Sequence, residues 1–209
     1  MDMNEVKEIA RKTMSKRKSH LSRERGFIYY HGQRVANLAM HLRKSLFPNE
    51  STMDDIIYAG ALFHDVTKGI EPHHLTGAEL VHTLLNGACS AEEHAGISEI
   101  IRHHNTRKQA DSPELPYYMK LVQDADILDH FGSMEIWLKF VYSGNNEENV
   151  FDAIQLWDSE NYAEYVASSR EALNYELSKD IYDQKMIFAE QFQARFRAEC
   201  NGEILLHHR

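Results

Sequence analysis

Residues 62–68 contain a histidine and an aspartate side by side, His64 and Asp65, at the end of an apolar segment. An imidazole nitrogen suits Zn, Fe, Co or Ni, and a carboxylate oxygen also suits Mn and Mg, so the pair offers two metal ligands of different character. A single His-Asp pair is more often a surface pair or a helix end than a metal site. Further candidate ligands, however, lie in separate segments: His31, His74, His103, His104 and Asp126. This set predicts a metal centre assembled from distant parts of the chain.

The helix predicted over about residues 27–46 directs His31 inward. This histidine shares a face with Val35 and Leu42, at spacings of four and eleven residues, and such positions form one apolar stripe on a helix. For a single inward histidine, a bond to a backbone carbonyl is the commoner role. Arg34 follows one turn later, where it could bind a phosphate oxygen or pair with an acid.

The next helix is predicted to begin at Ser51 or Thr52 and to end at His64 and Asp65. Its negative dipole end favours a cation at that point. The small residues at 59–61, Ala-Gly-Ala, allow another helix to approach closely. The helix end is therefore a suitable place for metal ligands.

A capping box formed by Ser90 and Glu93 predicts the start of a further helix, which ends near His103 and His104. Adjacent helical residues diverge by about 100°. Both histidines can therefore face one point only if the helix ends there, and the sequence leaves the choice between them open.

Three acids follow in a predicted half-buried helix. Asp126 and Asp129 lie on one flank, three residues apart, whereas Asp124 points away. Buried carboxylates need cations, so we expect Asp126 to face the site and Asp129 to support it as a partner of Arg34 or Lys68.

The order of these residues, a histidine, then His-Asp, then an aspartate, resembles the HD superfamily of metal-dependent phosphohydrolases between about residues 29 and 140. The resemblance implies an all-α helical bundle with one or two divalent ions, and Mn, Fe, Co, Ni and Zn all suit histidine and carboxylate ligands. It implies that one ion is held by the following residues: His31, His64, Asp65 and Asp126.

The resemblance implies a second ion held by His74 and by His103 or His104, with Asp65 shared between both ions. His74 is assigned because it fits the family's HxxGA element with residues 75–78. In this interpretation His73 and His82 are neighbours of the site and not ligands.

The resemblance also implies that Asp65, Lys68 and Arg34 are catalytic. Lys68 fits an HDxxK-like spacing and would hold a phosphate, and Arg34 would help stabilise charge on the phosphoryl group. Water activated by the ions would attack phosphorus. The alternative role for Lys68 is to complement the helix end only.

A small phosphorylated substrate, most often a nucleotide, is what the resemblance implies. Relatives that cleave cyclic dinucleotides carry Gly-Tyr-Pro after paired histidines, whereas residues 105–109 here are Asn-Thr-Arg-Lys-Gln, which argues against that substrate. The alternative is a non-catalytic regulatory module of the same fold that binds metal or nucleotide. Lys68 favours the enzyme, because a structural metal has no use for a flanking phosphate-binding cation.

The composition favours helices and limits the partners. Four prolines and ten glycines among 209 residues leave few turns for an all-β fold. The net charge of −9 argues against nucleic acid, because phosphate backbones need a basic surface. Cys89 and Cys200 lack CxxC spacing and no long apolar run occurs, so we expect a cytoplasmic protein with reduced thiols and no membrane association.

We expect three regions in the chain. Residues 1–26 form an N-terminal helix and a basic connector packed on the domain, residues 27–142 form the metal-binding HD domain, and residues 143–209 form a C-terminal helical extension within the same globule. The connector's basic residues are either a solvated helix end or an attractor for an anionic substrate. Phenylalanines at 188, 192 and 196 are typical of a core or a helix interface, so the extension is expected to be a helical cap or a homodimer surface.

Overall fold

The computed structural model describes residues 1–18, 23–106 and 114–203. All regular structure in these ranges is helical, which confirms the predicted all-α class. The ten helices in chain order are α1 (Met3–Met14), α2 (Phe27–Leu46), α3 (Asp54–Phe63), α4 (His73–Leu84), α5 (Ala91–His103), α6 (Tyr117–Asp129), α7 (Ser133–Asn145), α8 (Val150–Trp157), α9 (Glu160–Ala172) and α10 (Glu176–Cys200). Parts of three predicted features lie outside the described residues, namely 19–22 of the connector, the motif positions 107–109, and 204–209.

Helix α2 is the centre of the bundle and packs along α3 and α6. Gly32 permits the close contact with α3, because a Cβ added there would lie 2.3 Å from the carbonyl oxygen of Leu62. His31 precedes this glycine and is fully buried. The close packing therefore brings His31 to the C-terminal end of α3.

Helix α5 packs against both α3 and α4. The capping box of Ser90 and Glu93 is present at its start, as the sequence predicts. The predicted close approach at residues 59–61 is also confirmed, because a Cβ added at Gly60 would lie 2.7 Å from Cγ2 of Ile100. Two helices thus meet α3 closely enough to place side chains around its end.

The N-terminal segment packs on the bundle through α1, which contacts α3 and α2. Beyond α1, the guanidinium of Arg17 donates hydrogen bonds to the backbone carbonyls of Val66 and Lys68. This basic residue therefore holds the loop that follows α3, a role that differs from both roles expected for the connector.

The C-terminal helix α10 packs on α6, α7 and α8. Phe192 and Phe196 lie in an aromatic cluster with Phe140 and Trp157, with ring centroids 5.4–6.5 Å apart. These two phenylalanines confirm the predicted helix interface. Phe188 does not take part and is 51% exposed.

Asp124 ties α6 to the start of α10. Its buried carboxylate accepts hydrogen bonds from the backbone nitrogens of Asn174 and Tyr175 at 2.8 and 3.1 Å. Burial raises the pKa of Asp124, although these bonds oppose the change. The residue therefore points away from Asp126, as predicted, and has a structural role.

Helices α1 and α10 both pack directly on helices of the central region. The division into three regions itself stays a prediction. No helix within the described ranges is long and apolar enough to cross a membrane.

Candidate metal centre

Side chains from α2, α6 and the end of α3 meet at one buried point. Nε2 of His31 lies 3.1 Å from Nε2 of His64 and 3.2 Å from Oδ1 of Asp126. Oδ2 of Asp65 lies 3.9 Å from Nε2 of His31 and 3.8 Å from Nε2 of His64. The structure thus brings together the four residues that the sequence predicts for a first ion.

A second group lies on the other side of Asp65. Oδ1 of Asp65 is 3.3 Å from Nε2 of His73 and 3.6 Å from Nε2 of His104, and these two nitrogens are 3.3 Å apart. The two oxygens of one carboxylate therefore face two different pairs of imidazoles. This is the arrangement required of a carboxylate shared by two ions.

All four imidazoles present the same nitrogen to the centre. In each ring, Nδ1 donates to an oxygen 2.7–2.8 Å away: His31 to Asp129 Oδ2, His64 to Ala61 O, His73 to Glu71 Oε2 and His104 to Ile101 O. Because these oxygens accept, each Nδ1 carries a proton, and each Nε2 faces the centre, where either a proton or a metal ion can bind it.

Ring nitrogens and carboxylate oxygens that converge in this way repel one another unless a proton or a metal cation lies between them. Nitrogen and oxygen donors of this kind suit a divalent transition ion, and hydrogen bonds at Nδ1 orient metal-binding histidines in proteins. The cluster could therefore hold divalent metal, and the donor set fits the group that the sequence implies.

The protonation of the cluster reflects the same demand for positive charge. Burial lowers the pKa of His31, but hydrogen bonds with Asp126 and Asp129 outweigh it and raise the pKa to about 9. Burial by itself would raise the pKa values of Asp65 and Asp126. The surrounding imidazoles outweigh this effect and hold both pKa values well below the usual range. Both carboxylates therefore stay ionised at neutral pH and attract a cation.

His104, and not His103, reaches Asp65. Helix α5 ends at His103, and His104 is the capping residue, whose ring bonds the carbonyl of the residue three positions earlier. His64 uses the same bond at the end of α3. His103 lies on the outer side, 3.4 Å from a carboxylate oxygen of Glu99.

His73, and not His74, lies against Asp65. Its backbone nitrogen and its Nδ1 both donate to Oε2 of Glu71, and its carbonyl accepts from the hydroxyl of Thr67. These bonds hold the first residue of α4 toward the centre, so the next residue turns away. His74 is instead 3.4 Å from the side-chain amide of Asn105, and the spacing that assigned it as a ligand is not the one that the fold uses.

Asp129 and Arg34 form a support beneath His31. The guanidinium donates to both oxygens of Asp129, at 2.8 and 2.9 Å, and the same carboxylate accepts from His31. The pKa of Asp129 is lowered because these hydrogen bonds outweigh its burial. The structure therefore places Arg34 as a partner of an acid, one of its two expected roles.

Lys68 lies beside the centre in a cavity of about 660 Å³ that Asp126, His73 and His104 also line. Its ammonium is 3.3 Å from Oδ1 of Asp65, and the side chain is 35% exposed. A ligand in this cavity can contact the lysine and the metal-binding residues together.

The amino-acid pattern has matches among known proteins that agree with this geometry. Residues 28–130 match the sequence model of the HD domain. The chain contains an HD domain. No curated protein sequence matches this HD protein significantly.

Solved bacterial structures share the fold of the HD protein over nearly its whole length. An HD-superfamily hydrolase from Bacillus thuringiensis is 23% identical, with a TM-score of 0.71 over 96% of this chain and 97% of that chain. YpgQ from Bacillus subtilis in complex with ADP is 20% identical, with a TM-score of 0.64 over 93% and 97%. A predicted HD-superfamily hydrolase from an uncultured Thermotogales bacterium is 22% identical, with a TM-score of 0.60 over 94% and 91%. At these identities the likeness concerns the fold alone.

Two features near the HD centre were not predicted from the sequence. His130 lies close to His31 and Asp126, and its position one turn after Asp126 on a predicted helix is a signal that could have indicated it. Part of the wall of the cavity that contains Lys68 comes from α9, including Tyr165 and Ser169. No residue pattern in α9 indicates this contact, because it depends on how the extension folds back.

Proposed function

We propose that this HD protein is a metal-dependent phosphohydrolase that cleaves a phosphoester or phosphoanhydride bond of a nucleotide. One observation carries the proposal: the two carboxylate oxygens of Asp65 face separate pairs of imidazoles, and Lys68 lies beside them in an open cavity. A site that only stabilised the fold would need neither the cavity nor the lysine.

The residues that would hold the ions divide between the two oxygens of Asp65. His31, His64 and Asp126 lie on the side of Oδ2, and His73 and His104 lie on the side of Oδ1. Two divalent ions bound there would activate a water and neutralise charge on a phosphate group. The identity of the metal follows from neither the ligand types nor their spacing.

The protein's own cations complete the site. Lys68 lines the cavity, and its ammonium lies 3.3 Å from Oδ1 of Asp65, so it can bind a phosphate oxygen next to the candidate metal ligands. Arg34, in contrast, has its guanidinium engaged by Asp129. We therefore assign phosphate binding to Lys68, and to Arg34 the positioning of His31 through Asp129.

A nucleotide is the substrate class that the observations favour. The solved YpgQ structure that shares this fold contains ADP. In the present protein the cavity continues from the phosphate-binding lysine to the aromatic ring of Tyr165, so one end suits a phosphate and the other suits a base.

The direct test is hydrolysis by the metal-loaded protein. Protein loaded with Mn²⁺ or Co²⁺ is incubated with ATP, ADP and AMP, and released phosphate and pyrophosphate are measured. We expect Asp65→Ala to lose both metal and activity, and Lys68→Ala to keep its metal while turnover falls by roughly a hundredfold or more, as for other lost electrostatic stabilisers.

Two results would contradict the proposal: release of neither product with any divalent ion, or full activity in Asp65→Ala. If nucleotides raise the melting temperature without turnover, the chain is the non-catalytic module of the same fold.

We also propose that the protein works in the cytoplasm, which its two free cysteines support, and that it forms a homodimer, which size-exclusion chromatography with light scattering can test.

A further inference from the structure

A second cavity lies beside the metal centre, between α7, α8 and α9. It has a volume of about 940 Å³, and His130 and Tyr165 line both this cavity and the one that contains Lys68. A molecule bound at the metal centre can therefore extend past these two residues into the second cavity. The HD domain match ends at residue 130, so the second cavity is built mainly by the C-terminal part of the chain.

The charges of the second cavity differ from those around Lys68. Four carboxylates line it, from Glu135, Glu147, Glu148 and Asp152, against two cationic side chains, Arg23 and Lys139, and the ammonium of Lys139 is paired with Glu148 at 2.8 Å. Carboxylates therefore outnumber cations in this lining, which disfavours phosphate relative to the site at Lys68. It favours an uncharged group that carries hydrogen-bond donors, as nucleobases and sugars do.

Tyr165 has the properties of a stacking platform at the junction of the two cavities. One face of its ring packs on Phe131, with centroids 5.3 Å apart and an angle of 24° between the rings. Phe131 is buried and holds this orientation, whereas Tyr165 is 49% exposed. A rigid ring with an accessible surface is what a flat base needs for stacking.

We propose that the second cavity binds the nucleoside part of the substrate, with the base stacked on Tyr165 while the phosphates lie at Lys68. This inference rests on the proposed nucleotide substrate and adds the residue that selects for a base. Tyr165 is thus a binding residue supplied from outside the HD domain match.

The test compares two ligands that differ only in the nucleoside. The probes are α,β-methylene-ADP, which resists cleavage between its phosphorus atoms, and methylenediphosphonate, which has the same phosphonate end and no base. Affinities are measured by calorimetry on the manganese-loaded protein. We expect Tyr165→Ala to weaken binding of α,β-methylene-ADP by roughly ten- to a hundredfold, the usual effect of losing one base stack, and to leave binding of methylenediphosphonate unchanged.

Two matched variants show whether the effect belongs to the ring at this position. Tyr165→Phe keeps the stacking surface, so we expect near wild-type affinity for α,β-methylene-ADP. Tyr30→Ala removes a tyrosine of similar exposure, 47%, on the surface of α2, and we expect no change. A loss in Tyr165→Ala that Phe does not rescue would overturn the stacking role.

The location of the base can be tested separately by fluorescence. The chain has two tryptophans, and Trp157 lines the second cavity, so a Trp137→Phe background reports on that cavity alone. We expect α,β-methylene-ADP to change the Trp157 emission and methylenediphosphonate to leave it unchanged. Equal responses to both probes, or none to the nucleotide, would overturn the placement.

The binding experiments and the hydrolysis experiments test the subsite and the enzymatic activity separately. If no nucleotide is cleaved but the nucleoside-dependent binding is observed, the subsite stands and the enzymatic proposal fails. If nucleotides are cleaved but Tyr165→Ala binds α,β-methylene-ADP like the wild type, only the subsite is refuted.

Discussion

The contact between α2 and α3 at Gly32 predicts a large effect from one added methyl group. In Gly32→Ala the new Cβ would lie 2.3 Å from the carbonyl oxygen of Leu62, whereas such atoms keep at least 3.0 Å apart, so the two helices must separate by roughly 0.7 Å. Overpacking of this kind costs about 1–3 kcal/mol, which exceeds the gain of up to about 1 kcal/mol from replacing glycine in a helix. We therefore expect a net loss of stability.

The same displacement should weaken metal binding, because His31 stands next to Gly32 and its Nε2 is only 3.1 Å from that of His64. Disturbing the support of a metal ligand typically lowers affinity about ten- to a hundredfold. The loss of stability should lower the melting temperature by several degrees, at about 2–4 °C per kcal/mol for a chain of this size. Thermal unfolding of the metal-free protein and competition for Mn²⁺ with a chelator measure the two effects.

Gly144 provides the matched control. It also lies in a helix, but an added Cβ would meet no atom within 4 Å, so Gly144→Ala should keep full metal affinity and should be as stable as the wild type or slightly more stable. If Gly32→Ala shows the wild-type melting temperature and metal affinity, then close packing at this glycine does not position His31, and the argument is wrong.

Three further predictions concern individual contacts. His73→Ala should lower the amount of bound metal measured by elemental analysis, whereas His74→Ala should not; equal losses would contradict the placement of His73 against Asp65. Arg17→Ala should lower kcat without changing metal content, because it removes the guanidinium that holds two backbone carbonyls in the loop of Lys68. Arg17→Lys should restore only part of the rate, since lysine lacks the two-pronged donor. Burial raises the pKa of Glu135 above its usual 4.5, so the folded state binds this proton more tightly than the unfolded state does. The contribution of Glu135 to stability therefore falls as pH rises from about 4.5 through the raised pKa. Glu135→Gln should remove that fall in the free energy of unfolding, measured with denaturant across this pH range, and an unchanged pH dependence would refute the prediction.

The fold class and much of the metal centre could be predicted because their signals are local and periodic. The apolar stripe of α2 directs His31 inward, and the apolar helix α3 ends at the His-Asp pair. The spacing of three residues between Asp126 and Asp129 places both on one flank of α6, where Asp126 lies at the centre and Asp129 supports His31. Each of these inferences needs only the geometry of one helix.

The sequence could not decide where adjacent histidines turn. His103 and His104 differ by one position, and the choice follows from the residue at which α5 ends, where the His104 ring bonds a carbonyl. His73 is selected over His74 by bonds to Glu71 and Thr67. Helix boundaries are the least predictable feature of a sequence, and here they decide which histidines face Asp65.

The parts of the chain that carry motifs and the parts that carry none have different constraints. A change at Asp65 or Gly32 disturbs buried charge or close helix packing, which costs much of the stability or the bound metal. A change at Tyr165, on the half-exposed wall from α9, alters a cavity surface and costs the fold little. In the proposed arrangement, substitutions in α7 to α9 would therefore change which molecule binds and leave the candidate metal ligands in place. The candidate ligands could be predicted from a pattern because they must satisfy one fixed geometry. The substrate could not, because the cavity wall from α9 must only match the molecule that it binds.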